Sequence, residues 1–140
     1  MDHLKNEITI SAKKSETAKV VDSISDLLMM NGVDFSTCSK IGIALEEVLV
    51  NVASYAYEDE QGIIVIEYEL VTSPSKEISL TIIDSGREFD PLAKEDPNIV
   101  TLYEEKKIGG LGIYLTKQIM DEVSYERKDG KNILFLKKRI

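Results

Sequence analysis

The stretch ALEEVLVNVASYAY, residues 44–57, predicts the central helix of the fold. Apolar side chains recur there at intervals of three and four residues, which is typical of a helix with one buried face. They are Ala44, Leu45, Val48, Leu49, Val52 and Ala56, and Ile41 just before the stretch continues the series. Glu47 and Asn51 lie four positions apart, one helical turn from each other, along the edge of that face. The pair is either a solvated helix edge or part of a site that supplies it with partners.

Composition limits the class of protein. The chain has 140 residues, of which 43% are hydrophobic and 30% charged, so we expect one soluble globular domain spanning residues 1–140. The net charge of −8 argues against nucleic acid as a partner, because binding to its phosphate backbone requires a basic surface.

Two features that the sequence lacks bear on the location of the protein and on metal binding. No apolar run approaches the roughly 18 residues that a membrane span needs, and the first residues do not resemble a signal peptide. Cys38 is the only cysteine and His3 the only histidine, which gives no Cys/His metal site. We therefore expect no membrane partner and a cytoplasmic location.

Around the central helix, the pattern predicts a two-layer α/β sandwich, with a mixed, largely antiparallel sheet and helices on one face. Strands are expected at Glu7–Ser11, 63–71, 78–84, 122–127 and 132–138. Ser15 and Ser36 are the expected N-caps of the first two helices, which end at Asn31-Gly32 and near Tyr57. Met29 and Met30 are expected in the core, as are Ile113, Leu115, Ile119 and Met120 of a third helix.

Two short segments carry candidate chemistry. Asp84 ends a strand whose alternation turns its side chain toward the buried side, where a carboxylate needs a partner. Asp84-Ser85-Gly86 would let this carboxylate bind the amine of a base, although such a sequence also forms ordinary turns. Gly109-Gly110-Leu111-Gly112 opens the third helix, and free N–H groups at a helix start can hold phosphate; a simple turn is the alternative. Residues 92–108 have no clear period and are expected to be mobile.

Taken together, Glu47…Asn51, Asp84-Ser85-Gly86…Phe89-Asp90-Pro91 and Gly109-Gly110-Leu111-Gly112 resemble the sequence boxes of the gyrase, chaperone and histidine-kinase ATPase superfamily. Within it, the chain is most similar to the bacterial anti-sigma-factor serine kinases, over nearly its whole length. The resemblance implies the Bergerat-type ATP-binding fold, with ATP and Mg²⁺ as cofactors.

The resemblance also implies residue roles. Glu47 would be the catalytic base and Asn51 the Mg²⁺ ligand. Asp84, with Gly86 beside it, would bind the adenine amine. The glycine segment, Gly109, Gly110, Leu111 and Gly112, would contact the phosphates, and residues 92–108 would form a lid. Two departures stand out: Asn132 lies where the superfamily usually has Thr in the last hairpin, and Tyr55 lies where relatives often have His.

Three functions of different classes follow. The first is an ATP-dependent protein serine/threonine kinase, with a small anti-sigma-factor antagonist of the STAS type as its substrate and a sigma factor as a second partner. The second is an ATP-binding regulatory module that holds a partner without phosphate transfer. The third is an interaction domain that binds no nucleotide. Self-association as a homodimer is an option in each case. Retention of Glu47 favours the kinase, because a pure binder has no use for that carboxylate.

Overall fold

The computed structural model describes residues 3–57, 62–92 and 111–140, which build one sheet and a layer of helices. Each strand and helix expected in these ranges is present, with ends that differ by up to four residues. A π-helical turn, Val52–Ala56, continues the second helix directly. In chain order the elements are β1 (His3–Ser11), α1 (Lys14–Met30), α2 (Phe35–Asn51), β2 (Ile63–Val71), β3 (Glu77–Asp84), α3 (Leu111–Ile119), β4 (Glu122–Lys128) and β5 (Lys131–Arg139).

The strand order in the sheet is β1-β2-β3-β5-β4. Each neighbouring pair in this order is antiparallel, so the expectation of a mixed, largely antiparallel sheet is refined to an antiparallel one over the described ranges. The register places Asp84 of β3 directly opposite Ile64 of β2 on one side and Asn132 of β5 on the other. The polar end of β3 therefore lies in the middle of the sheet, against two neighbouring strands.

One face of the sheet carries the core, as the alternating pattern predicted. In β3 every second side chain is buried against the helices, and in β2 Ile64, Ile66 and Leu70 are buried while the residues between them are partly covered or exposed. The helix α2 packs between α1 and α3 and contributes its apolar stripe to the same core. This arrangement confirms the two-layer sandwich. The fully buried large side chains are Ile24, Leu28, Ile41, Leu45, Leu49, Ile64, Ile66, Leu70, Ile78, Leu80, Ile82 and Leu136.

The C-terminus of α1 lies where the sequence predicted it, whereas the N-caps of α1 and α2 differ from the predicted ones. The helix α1 stops at Asn31-Gly32 as expected, with Gly32 at a φ of +81° and the Val33 N–H donating to the Leu28 carbonyl at 3.0 Å. The N-cap of α2 is Asp34, whose carboxylate accepts from Thr37 N at 3.4 Å, and that of α1 is Lys13. The serines at 15 and 36 lie inside the first turns, so both expected caps were wrong by two residues.

Three side chains expected in the core are exposed. Met29 and Met30 are 45% and 84% exposed, because the buried stripe of α1 runs through Val20, Ile24 and Leu28 and leaves the last two positions outside it. Leu115 of α3 is 41% exposed for the same geometric reason. None of the helices in the described part of the chain is long and apolar enough to cross a membrane.

The hydrogen-bond pattern of helix α2 changes directly after Asn51, at the end of the part that carries the candidate residues Glu47 and Asn51. Its α-helical part ends at Asn51, and Val52–Ala56 then follow as a π-helical turn. The sequence predicted a single α-helix to about Tyr57, because the four-residue step between the buried Val52 and Ala56 fits either kind of turn. A π turn adds one residue to the hydrogen-bonded ring and is frequent at functional sites. Here it carries Tyr55 to an exposed position beyond Glu47 and Asn51.

Candidate functional site

Asp84 is a buried carboxylate at the end of β3, as the strand parity predicted. It is only 3% exposed. Its Oδ1 accepts from Asn132 Nδ2 at 2.9 Å and from the Gly86 N–H at 2.9 Å. Burial raises the pKa of Asp84 above its ordinary value, and these two bonds together with the Arg127 guanidinium offset part of that rise. A buried carboxylate with a raised pKa is a candidate functional group.

Asn132 of β5 holds this carboxylate and the loop after it. Its Nδ2 donates to Asp84 Oδ1 and to the Arg87 carbonyl, the latter at 2.7 Å. Its Oδ1 accepts from the Phe89 N–H at 3.1 Å and from Tyr125 Oη at 2.5 Å. The asparagine that departs from the superfamily pattern is therefore in contact with Asp84.

Tyr125 and Arg127 of β4 belong to the same cluster, and the sequence interpretation missed both. Arg127 Nη1 donates to the Gly86 carbonyl at 2.9 Å, while Tyr125 binds Asn132. Alternation along β4 turns Val123, Tyr125 and Arg127 to one face, and these three are partly buried while their neighbours are exposed. That parity was the available signal, although it does not specify which residue each side chain meets.

The loop after Asp84 packs on the π turn. A Cβ built on Gly86 would overlap the carbonyl oxygen of Ala56, so only glycine fits this close approach. The Arg87 N–H donates to the same carbonyl at 3.0 Å, and Arg87 Nε donates to the Tyr55 carbonyl at 2.7 Å. These bonds satisfy carbonyls that the end of a helix leaves without partners. The sequence predicted that Gly86 lets the backbone come close to a base, whereas in the structure the atoms close to Gly86 are those of Ala56.

Two tyrosines, Tyr55 and Tyr57, add further contacts between this loop and the π turn. Tyr57 Oη donates to the Ile63 carbonyl at 2.8 Å and accepts from the Ser85 N–H at 2.7 Å. The rings of Tyr55 and Phe89 stack with their centroids 5.3 Å apart. Tyr57 had not been selected from the sequence, where it reads as the last residue of a helix. The loop is thus bound to the π turn by backbone, side-chain and ring contacts.

We expect Gly86→Ala to destabilise the fold by about 1–3 kcal/mol, because the added methyl overlaps a backbone carbonyl that cannot rotate away. The measurement is thermal or denaturant unfolding. Gly42→Ala is the matched control: a Cβ there meets Val21 Cγ1 at an ordinary 3.4 Å inside α2, so its stability should be unchanged or higher. A melting temperature for Gly86→Ala equal to that of the wild type would contradict the close approach.

Glu47 and the start of α3 form the second half of the site. A Cβ built on Gly112 would overlap the Glu47 carboxylate, so this carboxylate lies against the backbone of the first turn of α3. The contact is held from one turn further on, where the Thr116 hydroxyl lies 3.3 Å from the Ala44 carbonyl and 3.0 Å from that of Gly112. This contact brings together the candidate segment that contains Glu47 and the one that contains Gly112.

The Asp84 cluster and the contact between Glu47 and Gly112 are connected by helix α2 and the π turn that continues it. The helix α2 carries Glu47 and Asn51, and its π turn contacts Gly86 two residues after Asp84. Gly109 and Gly110 lie outside the described residues, as does the expected lid apart from Leu92. Leu111 is the first residue of α3. The arrangement offers a buried acceptor at one end and the N-terminus of α3 at the other, which suits a ligand with an amine-bearing base and an anionic tail.

Proteins similar to this chain share one domain type. A family model described as a histidine kinase-like ATPase domain matches residues 10–138. The chain is 28% identical to the serine-protein kinase RsbW of Staphylococcus aureus (strain MRSA252), over 94% of this chain and 84% of that protein. It is 29% identical to the serine/threonine-protein kinase BtrW of Bordetella bronchiseptica, over 67% of this chain and 65% of BtrW, just under two thirds of that relative.

A solved structure supports the same fold. The histidine kinase domain of the blue-light activated histidine kinase from Erythrobacter litoralis EL346 superposes with a TM-score of 0.53. The superposition covers 87% of this chain and 60% of that one, at 16% sequence identity. At this identity the likeness shows a shared arrangement of sheet and helices.

Proposed function

Because the chain belongs to the histidine kinase-like ATPase domain family, we propose that it is an ATP-dependent protein serine/threonine kinase of the anti-sigma regulatory type. The relatives named as serine-protein kinases support this assignment. Its substrate would be a serine or threonine hydroxyl on a small antagonist protein.

The observation that carries the proposal is the contact between Glu47 and Gly112. Free N–H groups at the start of α3 would bind phosphate oxygens, and the Glu47 carboxylate lies against that same turn. A carboxylate beside a phosphate site repels the ligand, so it weakens a protein that only binds ATP. It is useful to a protein that must accept a proton there.

The proposed reaction transfers the γ-phosphate of ATP to a serine hydroxyl. The serine oxygen forms a bond to the γ-phosphorus of ATP, the bond from that phosphorus to the ADP oxygen breaks, and the hydroxyl proton passes to Glu47. Little covalent chemistry is left to the protein, so positioning and charge stabilisation account for most of the catalysis. At the other end of the ligand, Asp84 would accept a hydrogen bond from the adenine amine and thereby select ATP over GTP.

Asn51 would be the protein ligand of Mg²⁺. It is partly buried at the last position of α2, one turn from Glu47. In the part of the chain that the structure describes, no three His, Cys, Asp or Glu side chains gather into a metal-binding group. One carboxamide oxygen combined with phosphate oxygens is a hard-donor set that fits Mg²⁺, which keeps few protein ligands. The ion would supply positive charge opposite the transferred phosphate.

We expect Asn51→Ala to weaken ATP binding in the presence of Mg²⁺ and to leave binding measured in EDTA nearly unchanged, because only the metal-assisted part is lost. Isothermal titration with and without Mg²⁺ measures both. Asn31→Ala is the control: this asparagine binds the Leu27 carbonyl at the end of α1, away from the proposed ligands, so any effect on binding should not depend on the metal. Equal losses with and without Mg²⁺ would remove Asn51 from the metal role.

The partners are inferred from the same assignment. We propose an antagonist protein of the STAS type as the phosphate acceptor, a sigma factor as a competing partner, a homodimer as the assembled state and the cytoplasm as the location. The net charge of −8 argues against nucleic acid among the partners.

One experiment separates the kinase from the alternative, an ATP-binding regulatory module without phosphate transfer. The full chain is incubated with γ-labelled ATP, Mg²⁺ and a candidate antagonist protein whose serine is intact or replaced by alanine. The kinase predicts label on the intact antagonist and none on the variant. Formation of a complex that depends on ATP without any transfer of label would favour the regulatory module.

A further inference from the structure

The carboxamide of Asn132 is fixed in one orientation by its surroundings. Its two N–H groups donate to two oxygens, Asp84 Oδ1 and the Arg87 carbonyl, while its own oxygen accepts from the Phe89 N–H and from Tyr125 Oη. Rotating the amide by 180° would set oxygen against oxygen on one side and N–H against N–H on the other. With its donors used and both acceptor sites occupied, the side chain has little freedom.

The Asn132 amide donates a hydrogen bond to one of the two carboxylate oxygens of Asp84, Oδ1. Among the described residues, both donors to the carboxylate, Asn132 Nδ2 and the Gly86 N–H, reach Oδ1 at 2.9 Å. Two bonds to the same oxygen, from two directions, resist rotation of the carboxyl group about its last torsion. The oxygen Oδ2 receives neither of these two bonds.

We infer that Asn132, held in place by Tyr125, is a positioning residue that sets the base specificity of this site by presenting Asp84 Oδ2 to the exocyclic amine of a purine. The inference rests on the proposed binding of ATP and adds to it the residues that aim the acceptor. Recognition of an amine by a carboxylate depends on direction, so an acceptor that rotates loses part of its preference for the amine-bearing base.

The chemistry of residue 132 explains why the amide matters. An alanine at this position would offer no donor, so neither Asp84 Oδ1 nor the Arg87 carbonyl would be held. Tyr125 contributes from the other side of the amide: burial, then the nearby Glu88, raises the pKa of its phenol, so it remains a donor to Asn132 at any working pH. Loss of Tyr125 Oη leaves Asn132 with the Phe89 N–H, so its removal should have the smaller effect.

The test compares two nucleotides on variants of the full chain. Calorimetric titration measures ATP and purine riboside triphosphate, an ATP analogue with hydrogen in place of the exocyclic amine. The wild type should bind ATP roughly 10- to 100-fold more tightly than the analogue, since one partner of a charged acceptor is missing. In Asn132→Ala this ratio should fall to within about threefold while affinity for the analogue stays nearly constant; in Tyr125→Phe it should fall partway.

Matched substitutions on other strands serve as controls. Asn6→Ala lies on the exposed edge of β1 and Tyr68→Phe on β2, and both should keep the wild-type ratio. Unfolding curves recorded beside each titration separate misfolding from mispositioning. If Asn132→Ala folds but weakens both nucleotides equally, its role is structural and the inference is overturned. If the wild type binds neither nucleotide, or does not prefer ATP to the analogue, the proposed function fails at Asp84, and the inference with it.

Discussion

Glu47→Gln is expected to reduce phosphate transfer by roughly 10²- to 10⁴-fold while ATP binding persists within a few-fold. The amide keeps the size and most hydrogen bonding of the side chain but cannot accept the proton of the attacking serine. Because Glu47 lies against the first turn of α3, removing its charge should not weaken phosphate binding there. Transfer of label from γ-labelled ATP and calorimetric titration of ATP measure the two quantities on the same sample.

Glu46 provides the internal control for this experiment. It is the neighbouring residue on α2, about 100° round the helix, and its side chain is exposed. Glu46→Gln should therefore keep wild-type transfer and wild-type ATP affinity. If the two glutamine variants transfer phosphate equally well, Glu47 is not the base and the regulatory module becomes the better assignment.

Asp84→Asn is expected to weaken ATP binding by roughly 1–3 kcal/mol, because a charged acceptor for the adenine amine becomes a weaker, neutral group. GTP should bind the wild type far less well than ATP, since guanine presents a carbonyl where adenine presents its amine. Titrations of both nucleotides measure this. Equal affinities of the wild type for ATP and GTP would remove Asp84 from the adenine role.

The same variant should be at least as stable as the wild type at neutral pH. Burial raises the pKa of Asp84 in the folded state, so the charged form destabilises the fold and this penalty is absent once the group is protonated in both states. The contribution of Asp84 to stability is therefore most favourable below its ordinary pKa and is lost as the pH rises through the raised one. Asparagine removes this titration, and its oxygen can still accept from Asn132 Nδ2 and the Gly86 N–H.

Unfolding at several pH values checks the sign. The stability of Asp84→Asn relative to the wild type should be greatest near neutral pH, should shrink as the pH falls through the raised pKa of Asp84 toward its ordinary value, and should change no further below that. Asp22→Asn is the control, because this carboxylate is exposed on α1 and its replacement should not reproduce the trend. A variant that is much less stable at neutral pH would show that Asp84 is a structural anchor.

The sequence predicted most of the fold because its signals are local. Alternation over residues 63–71 and 77–84 specifies which side chains are buried, and the same parity correctly placed the Asp84 carboxylate inside. The three–four spacing of α2 predicted its buried face. The helix caps were less certain, since Asp34 and Ser36 are both good N-cap residues and only the backbone path decides between them.

The network around Asp84 could not be derived in the same way. Whether Tyr125 meets Asn132 depends on the register of the last hairpin and on its pairing with β3, and neither is written in a local period. The π turn was missed because apolar spacing does not distinguish it from an α-helix. Glu47 and Gly112 were selected as members of one cleft, and their direct contact required the packing of α3 on α2.

The hydrogen bonds of Asn132 have a consequence for how the chain folds. Its contacts with Asp84, Arg87 and Phe89 span 48, 45 and 43 residues of sequence. Contacts of such high separation form only after long loops have closed, so they belong to the slow, topology-limited part of folding. The oriented acceptor therefore does not exist until the C-terminal hairpin has docked on β3. Nascent or partly assembled chains that already contain α2, with its Glu47, lack the oriented form of the acceptor at which a base would bind.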